Sequence, residues 1–136
     1  NKIKSKPYNV RTYYGDPAGM QAQGQSGLGD IEIFRQNSIH VRSIRDKVSR
    51  NIASGISHVR GFIENANGNR YLHLDNKCLG MAEDLENYRY PEAVENKDLK
   101  PEPLKDGRHD HGCDMLRYFF INQFPIKRNK IITRNR

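Results

Sequence analysis

Apolar residues recur along this chain at helical spacing in some stretches and at strand spacing in others. Across residues 45–65 they fall at Val48, Ile52, Ile56, Val59 and Ile63, a single stripe on what reads as the longest helix. Asn65-Ala66-Asn67-Gly68-Asn69 then stops it. Leu79, Met81, Ala82 and Leu85 predict a helix over about 76–88, and Met115, Leu116, Phe119 and Phe120 give the packing side of a later helix that carries Asp114. A short helix over 30–36 begins with Asp30 as its expected cap. Between these lie segments rich in β-favouring residues: 8–14, 38–42 with Ile39 and Val41 on one face, and 71–74. Strands alternating with helices predict an α/β fold, a mixed or parallel sheet flanked by helices, in which sites form beyond the carboxyl ends of strands.

The remaining stretches read as loops. Residues 20–29 are glycine-rich and lack the Lys-Ser/Thr ending of a phosphate-cradling loop, which excludes a Walker-type ATP site there. Residues 91–108 are polar, acidic and proline-containing, an irregular connection to the last helix.

Length and composition narrow the class. With 136 residues and 35% hydrophobic content the expectation is one small domain, residues 1–124, followed by a basic tail, 125–136. No apolar run approaches the ~20 residues that span a bilayer, and the opening Asn-Lys-Ile-Lys-Ser-Lys lacks the apolar stretch of a signal peptide, so no membrane role and no secretion are expected. Cys78 and Cys113 fall in amphipathic segments and read as buried free thiols. The net charge is +7, and Lys2, Lys4, Lys6, Lys127, Arg128, Lys130, Arg134 and Arg136 lie in end segments without acids; +7 less these eight is −1. A near-neutral centre with basic ends fits a polyanionic partner.

Chemistry-bearing residues concentrate in two places. His109-Asp110-His111-Gly112-Cys113-Asp114 packs two imidazoles and two carboxylates ahead of Met115-Leu116-Arg117-Tyr118-Phe119, and helical spacing puts Asp110, Asp114 and Arg117 on one face with His111 beside Asp114. Tyr13-Tyr14-Gly15-Asp16-Pro17-Ala18-Gly19 sets a carboxylate at a strand end where the chain must turn. Each acid also has a plain structural role open to it: an Asx turn for Asp16, an N-cap for Asp110 and a favourable helix-dipole position for Asp114. Zinc is a poor match, because His109, His111, Cys113 and Cys78 lack paired Cys-x-x-Cys spacing.

Taken in order, the motifs resemble a known family. Tyr14-Gly15-Asp16-Pro17-Ala18 at a strand end, Lys47 with Gly55-Ile56-x-x-Val59, then Leu79, Glu83, Tyr88, Tyr90 and Pro91, and finally Asp110-His111-x-x-Asp114-x-x-Arg117-Tyr118 are similar to the carboxyl-terminal nuclease domain of the large terminase subunit of tailed bacteriophages, over nearly the whole chain. The resemblance implies a ribonuclease H-like fold and an endonuclease that cuts concatemeric double-stranded viral DNA during genome packaging in the host cytoplasm. It implies as partners a portal protein, a small terminase subunit and an ATPase domain upstream in the same protein.

Family members use three acids. The first lies on an opening strand that this chain lacks; the second corresponds to Asp16 and the third to Asp114, with His111 beside it and Asp110 as a possible assistant. The implied cofactor is Mg2+ or Mn2+ in a two-metal site, since hard ions about 3.5–4 Å apart activate water and stabilise the leaving oxygen in phosphodiester hydrolysis. His111 is expected to orient the Asp114 carboxylate. Arg45, Lys47, Arg50 and Arg60 are expected to contact DNA phosphates without reading bases. With the first acid missing, the chain reads as a piece of a longer protein with weak or no cleavage by itself. The competing expectation is a non-catalytic nucleic-acid- or portal-binding module that keeps the fold.

Overall fold

The computed structural model describes residues 3–22, 27–44, 51–91 and 102–126. The chain divides into two compact units, Asn1–Ser43 and Ile44–Arg136.

In the first unit, β1 (Tyr13–Tyr14) pairs in parallel with β2 (Val41–Arg42), Tyr13 opposite Val41 and Tyr14 opposite Arg42. Gly15 extends the ladder by donating its N–H to the Arg42 carbonyl at 3.0 Å. A side chain cannot stand there, because a Cβ at Gly15 would lie 2.7 Å from Val41 Cγ1. The connection runs through a 3-10 turn, Pro17–Met20, and α1 (Asp30–Gln36), the crossover that a parallel pair requires. Gly29 and not Asp30 is the N-cap of α1. At the other end Ser38 adopts a left-handed conformation, φ 59°, and Ile39 N–H closes onto the Phe34 carbonyl. Ser38 therefore finishes the helix instead of starting a strand. Ile39, 1% exposed, is the core residue of this unit, and its burial contributes about 1.5–3 kcal/mol.

The second unit is helical. Its elements are α2 (Ile52–Ile63), α3 (Leu79–Asn87) and α4 (Asp110–Gln123), and both α2 and α3 pack on α4. Asn51 starts α2 by accepting the Ser54 N–H on Oδ1 at 2.9 Å; the expected start near 45 lies outside the described residues, as does Val48. Asn65 ends it by a local turn, its Oδ1 accepting from the N–H groups of Asn67 and Asn69. Ahead of α4, Asp106 accepts the N–H groups of Arg108 and His109 on Oδ1 and holds His109 Nδ1 at 2.6 Å through Oδ2. These bonds hold its carboxyl well below the usual carboxylate range.

The expected α/β, ribonuclease H-like mixed sheet flanked by helices is not what this chain forms. Among the described residues there is one sheet, of two short strands, and most regular structure is helical. Two physical reasons stand out. The apolar segment 71–74 makes no strand: the N–H groups of Tyr71 and Leu72 both bond the Phe62 carbonyl, each at 2.8 Å, satisfying an acceptor left open at the end of α2. And α2 and α3 both pack on α4, helix on helix, where the expected fold would have laid them on a sheet.

Candidate functional site

In the first unit Asp16 stands two residues past the end of β1, with its side chain turned into the start of the 3-10 turn. Oδ1 accepts the Ala18 N–H at 2.8 Å, so the Asx-type capping role is real. Asp16 is nevertheless exposed and borders a pocket of about 370 Å³ walled by Tyr13, Phe34, Ile39 and Val41. Asp30 lines the same pocket, close to Gly19, where a Cβ would lie 3.3 Å from Ile31 Cγ1 and 3.8 Å from Asp30 Cβ. Sequence reading missed Asp30 as a pocket residue because it sits where a helix start alone would account for an acid.

In the second unit the acids lie on α4. Asp110 is the first residue of the helix, with His109 as its N-cap, so the expected N-cap role of Asp110 is not seen. It is 6% exposed, and its Oδ1 is buried without a hydrogen-bond partner. A buried carboxylate oxygen with no donor is expensive and rare. One turn later Asp114 is half-buried, and its Oδ1 accepts from Arg117 Nη2 at 2.7 Å. Arg117 is 4% exposed. Burial by itself would lower the guanidinium's pKa, but the hydrogen bond and charge of Asp114 outweigh it and the net shift is upward. His111 is exposed on the first turn.

The buried side of α4 is Asp110, Cys113, Arg117, Phe120 and Ile121, steps of three and four along the helix to Arg117, with Phe120 and Ile121 three and four residues beyond it. Of the expected packing side Phe120 is buried, while Met115 is 60% and Phe119 39% exposed. Because α2 and α3 both cover α4, the acid and the arginine were taken into the interior with the apolar residues. Asp84 of α3 approaches the same turn so closely that a Cβ at Gly112 would fall on its Oδ2. Cys113 is buried there, its thiol pushed up to about 11 by burial and then by Asp84, Asp114 and Asp110. Tyr88, half-buried beside a cavity of about 120 Å³ that Cys113 and Arg117 also line, is pushed up to about 12 by burial and then by Asp114. Asp84 is not marked by local sequence, and Tyr88 is marked only as part of a motif; the packing of α3 on α4 brings both to this turn. Cys78 departs from its expected burial: it is exposed at the N-cap of α3.

The expected site residues thus fall in both units, Asp16 in the first and Asp110, His111 and Asp114 in the second. Arg45, Lys47 and Arg50 lie outside the described residues, as do 127–136 of the basic tail; Arg60 is exposed on α2. Several surface arginines are engaged by acids, Arg35 with Glu32, Arg70 with Glu64 and Arg108 with Glu83. Among the described residues no three His, Cys, Asp or Glu side chains are grouped to hold an ion, and no helix is long and apolar enough to cross a membrane. No protein family, curated protein or solved structure matches this chain.

Proposed function

We propose that this chain belongs to a metal-dependent DNA endonuclease of the genome-packaging kind, with Asp114, assisted by Asp110, as ion ligands on α4 and Asp16 as the acid of the first unit. The observation that carries the reading is the Asp110 carboxylate, buried at the head of α4 with an oxygen that no donor satisfies. A buried carboxylate oxygen without a donor is a position that a cation can fill, and an all-oxygen donor set suits Mg2+ or Mn2+ over softer ions. The described donors are of the kind such an ion takes, and among the described residues no three are grouped to hold one.

When bound, the ion would supply a hydroxide near neutral pH and charge stabilisation at the phosphate. The chain's own residues supply the rest. Asp114 offers a carboxylate whose Oδ1 is already held by Arg117. The proposal keeps His111, exposed one turn earlier, as the group that orients that carboxylate or meets the scissile phosphate. The implied substrate is double-stranded DNA, the implied partners those of a packaging motor, and phosphate contacts from Lys47, Arg45 and Arg50 remain part of the proposal.

A second reading has its own support. Asp114 is already neutralised by a buried arginine, as expected if the fold has a non-catalytic, nucleic-acid-binding role. The two separate in one experiment: thermal melting of the chain with and without Mn2+ or Mg2+, beside nicking of supercoiled plasmid. The nuclease reading predicts ion-dependent stabilisation that Asp114→Ala removes, with weak nicking at most. Melting indifferent to both ions, with DNA binding intact, selects the binding module.

A further inference from the structure

Arg117 is seated in a slot that only glycine leaves open. A Cβ at Gly55 of α2 would lie 2.7 Å from Arg117 Cδ and 2.8 Å from Cγ, so the arginine stem fills the space a side chain at 55 would take. From that slot Nη2 donates to Asp114 Oδ1 at 2.7 Å, and the guanidinium carbon lies 4.6 Å from the centre of the Tyr118 ring. Stem, stacking face and fork are each constrained by a different neighbour. Stability alone does not account for the arrangement: Nε is buried with no partner, and a buried ion pair is commonly no more stable than an apolar replacement of the same volume. Its effect is directional. A carboxylate with one oxygen clamped by a fixed guanidinium cannot rotate freely, and its other oxygen is left at a set angle.

We propose that Arg117, held in place by the absence of a side chain at Gly55, is a positioning residue for the Asp114 carboxylate, so that helix α2 sets how Asp114 Oδ2 meets a divalent ion. The ion part rests on the proposed function; the linkage from Gly55 through Arg117 to Asp114 does not. The planar guanidinium both faces the Tyr118 ring and donates from Nη2, and a lysine ammonium, a point charge on a flexible stem, does not replace it.

The test has two arms on the full chain. In the first, urea unfolding of Gly55→Ala, Asp114→Asn and the double variant is repeated in an Arg117→Met background. Positioning predicts that the double variant's unfolding constant departs from the product of the single effects by about fivefold or more, and that this coupling vanishes once Arg117 is methionine. Additive effects, or coupling that survives in Arg117→Met, overturn the linkage whatever the metal does. In the second, Mn2+ affinity is read from the free-ion electron paramagnetic resonance signal. Gly55→Ala and Arg117→Lys should each weaken it about tenfold, as loss of an outer partner does, while Gly61→Ala, where a Cβ meets nothing within 4 Å, leaves it unchanged. Mn2+ binding that tightens in Arg117→Met shows the arginine to be a competitor and overturns positioning. A wild-type chain that binds no Mn2+ sinks the nuclease reading instead, and the unfolding cycle still decides the linkage.

Discussion

The rings of Phe62 on α2 and Phe120 on α4 lie 4.5 Å apart between centroids, tilted at 47°. Phe124 joins them at 5.0 Å from Phe62 and His58 at 5.3 Å, while His58 Nε2 lies 2.6 Å from the Phe124 carbonyl oxygen. This cluster fastens the end of α2 to the end of α4, and so holds the helix that bears Asp114. Phe120, 4% exposed, should lose about 3–5 kcal/mol on replacement by alanine. A double-variant cycle with Phe62→Ala should show coupling of about 0.5–1.5 kcal/mol in urea unfolding; additive losses would mean the rings do not share one packing site.

The two α2 glycines should respond in opposite directions. At Gly61 a Cβ meets nothing within 4 Å, so alanine there gains helix propensity, up to about 1 kcal/mol. At Gly55 the same gain is set against overpacking of the Arg117 stem, about 1–3 kcal/mol, and a net loss is expected. The difference in unfolding free energy between the two variants is the check, and equal gains would show that the Arg117 stem moves aside at little cost.

What the sequence made legible, and what it did not, follows from the range of the interactions. The helices at Asp30–Gln36, Ile52–Ile63, Leu79–Asn87 and Asp110–Gln123 fall in stretches read as helical, about 30–36, 45–65, 76–88 and the segment carrying Asp114, because spacing and the Asn65-Gly68 stop signal are local. The sheet was over-read, because β-favouring residues at 71–74 carry no record of whether a ladder partner exists, and here the Phe62 carbonyl took their N–H groups. The acids of α4 were found, but the helix face was not, since Arg117 enters the interior only where Gly55 admits it. Gly55, lying among the apolar positions of α2 where Gly61 does not, was the available signal.

Tyr88 gives the molecule a specific alkaline response. Burial, then the nearby Asp114 charge, raises its phenol from 10.0 to about 12. The folded value is above the unfolded one, so the associated stability is whole below about pH 10 and is lost as pH climbs toward about 12. In an ultraviolet titration of the seven tyrosines, one should ionise last, near the unfolding transition, and Tyr88→Phe should remove that step and extend stability at high pH. A Tyr88→Phe titration identical to wild type would contradict the assignment.

The two thiols should differ sharply. Cys78 is exposed and Cys113 is buried, the latter with its thiol pushed up to about 11. Since the thiolate is the reacting form, an aromatic disulfide reagent at mild alkaline pH should label one cysteine quickly in the native chain and both in urea. Peptide mapping that finds Cys113 modified first would show that α3 does not cover α4 as described.

The most direct test of the proposed function is a calorimetric Mn2+ titration of the wild-type chain beside Asp114→Asn and Asp110→Asn. The account predicts saturable binding by wild type, its loss in Asp114→Asn and its weakening in Asp110→Asn, with all three proteins remaining folded. Absence of binding in wild type, or binding that survives Asp114→Asn unchanged, contradicts it.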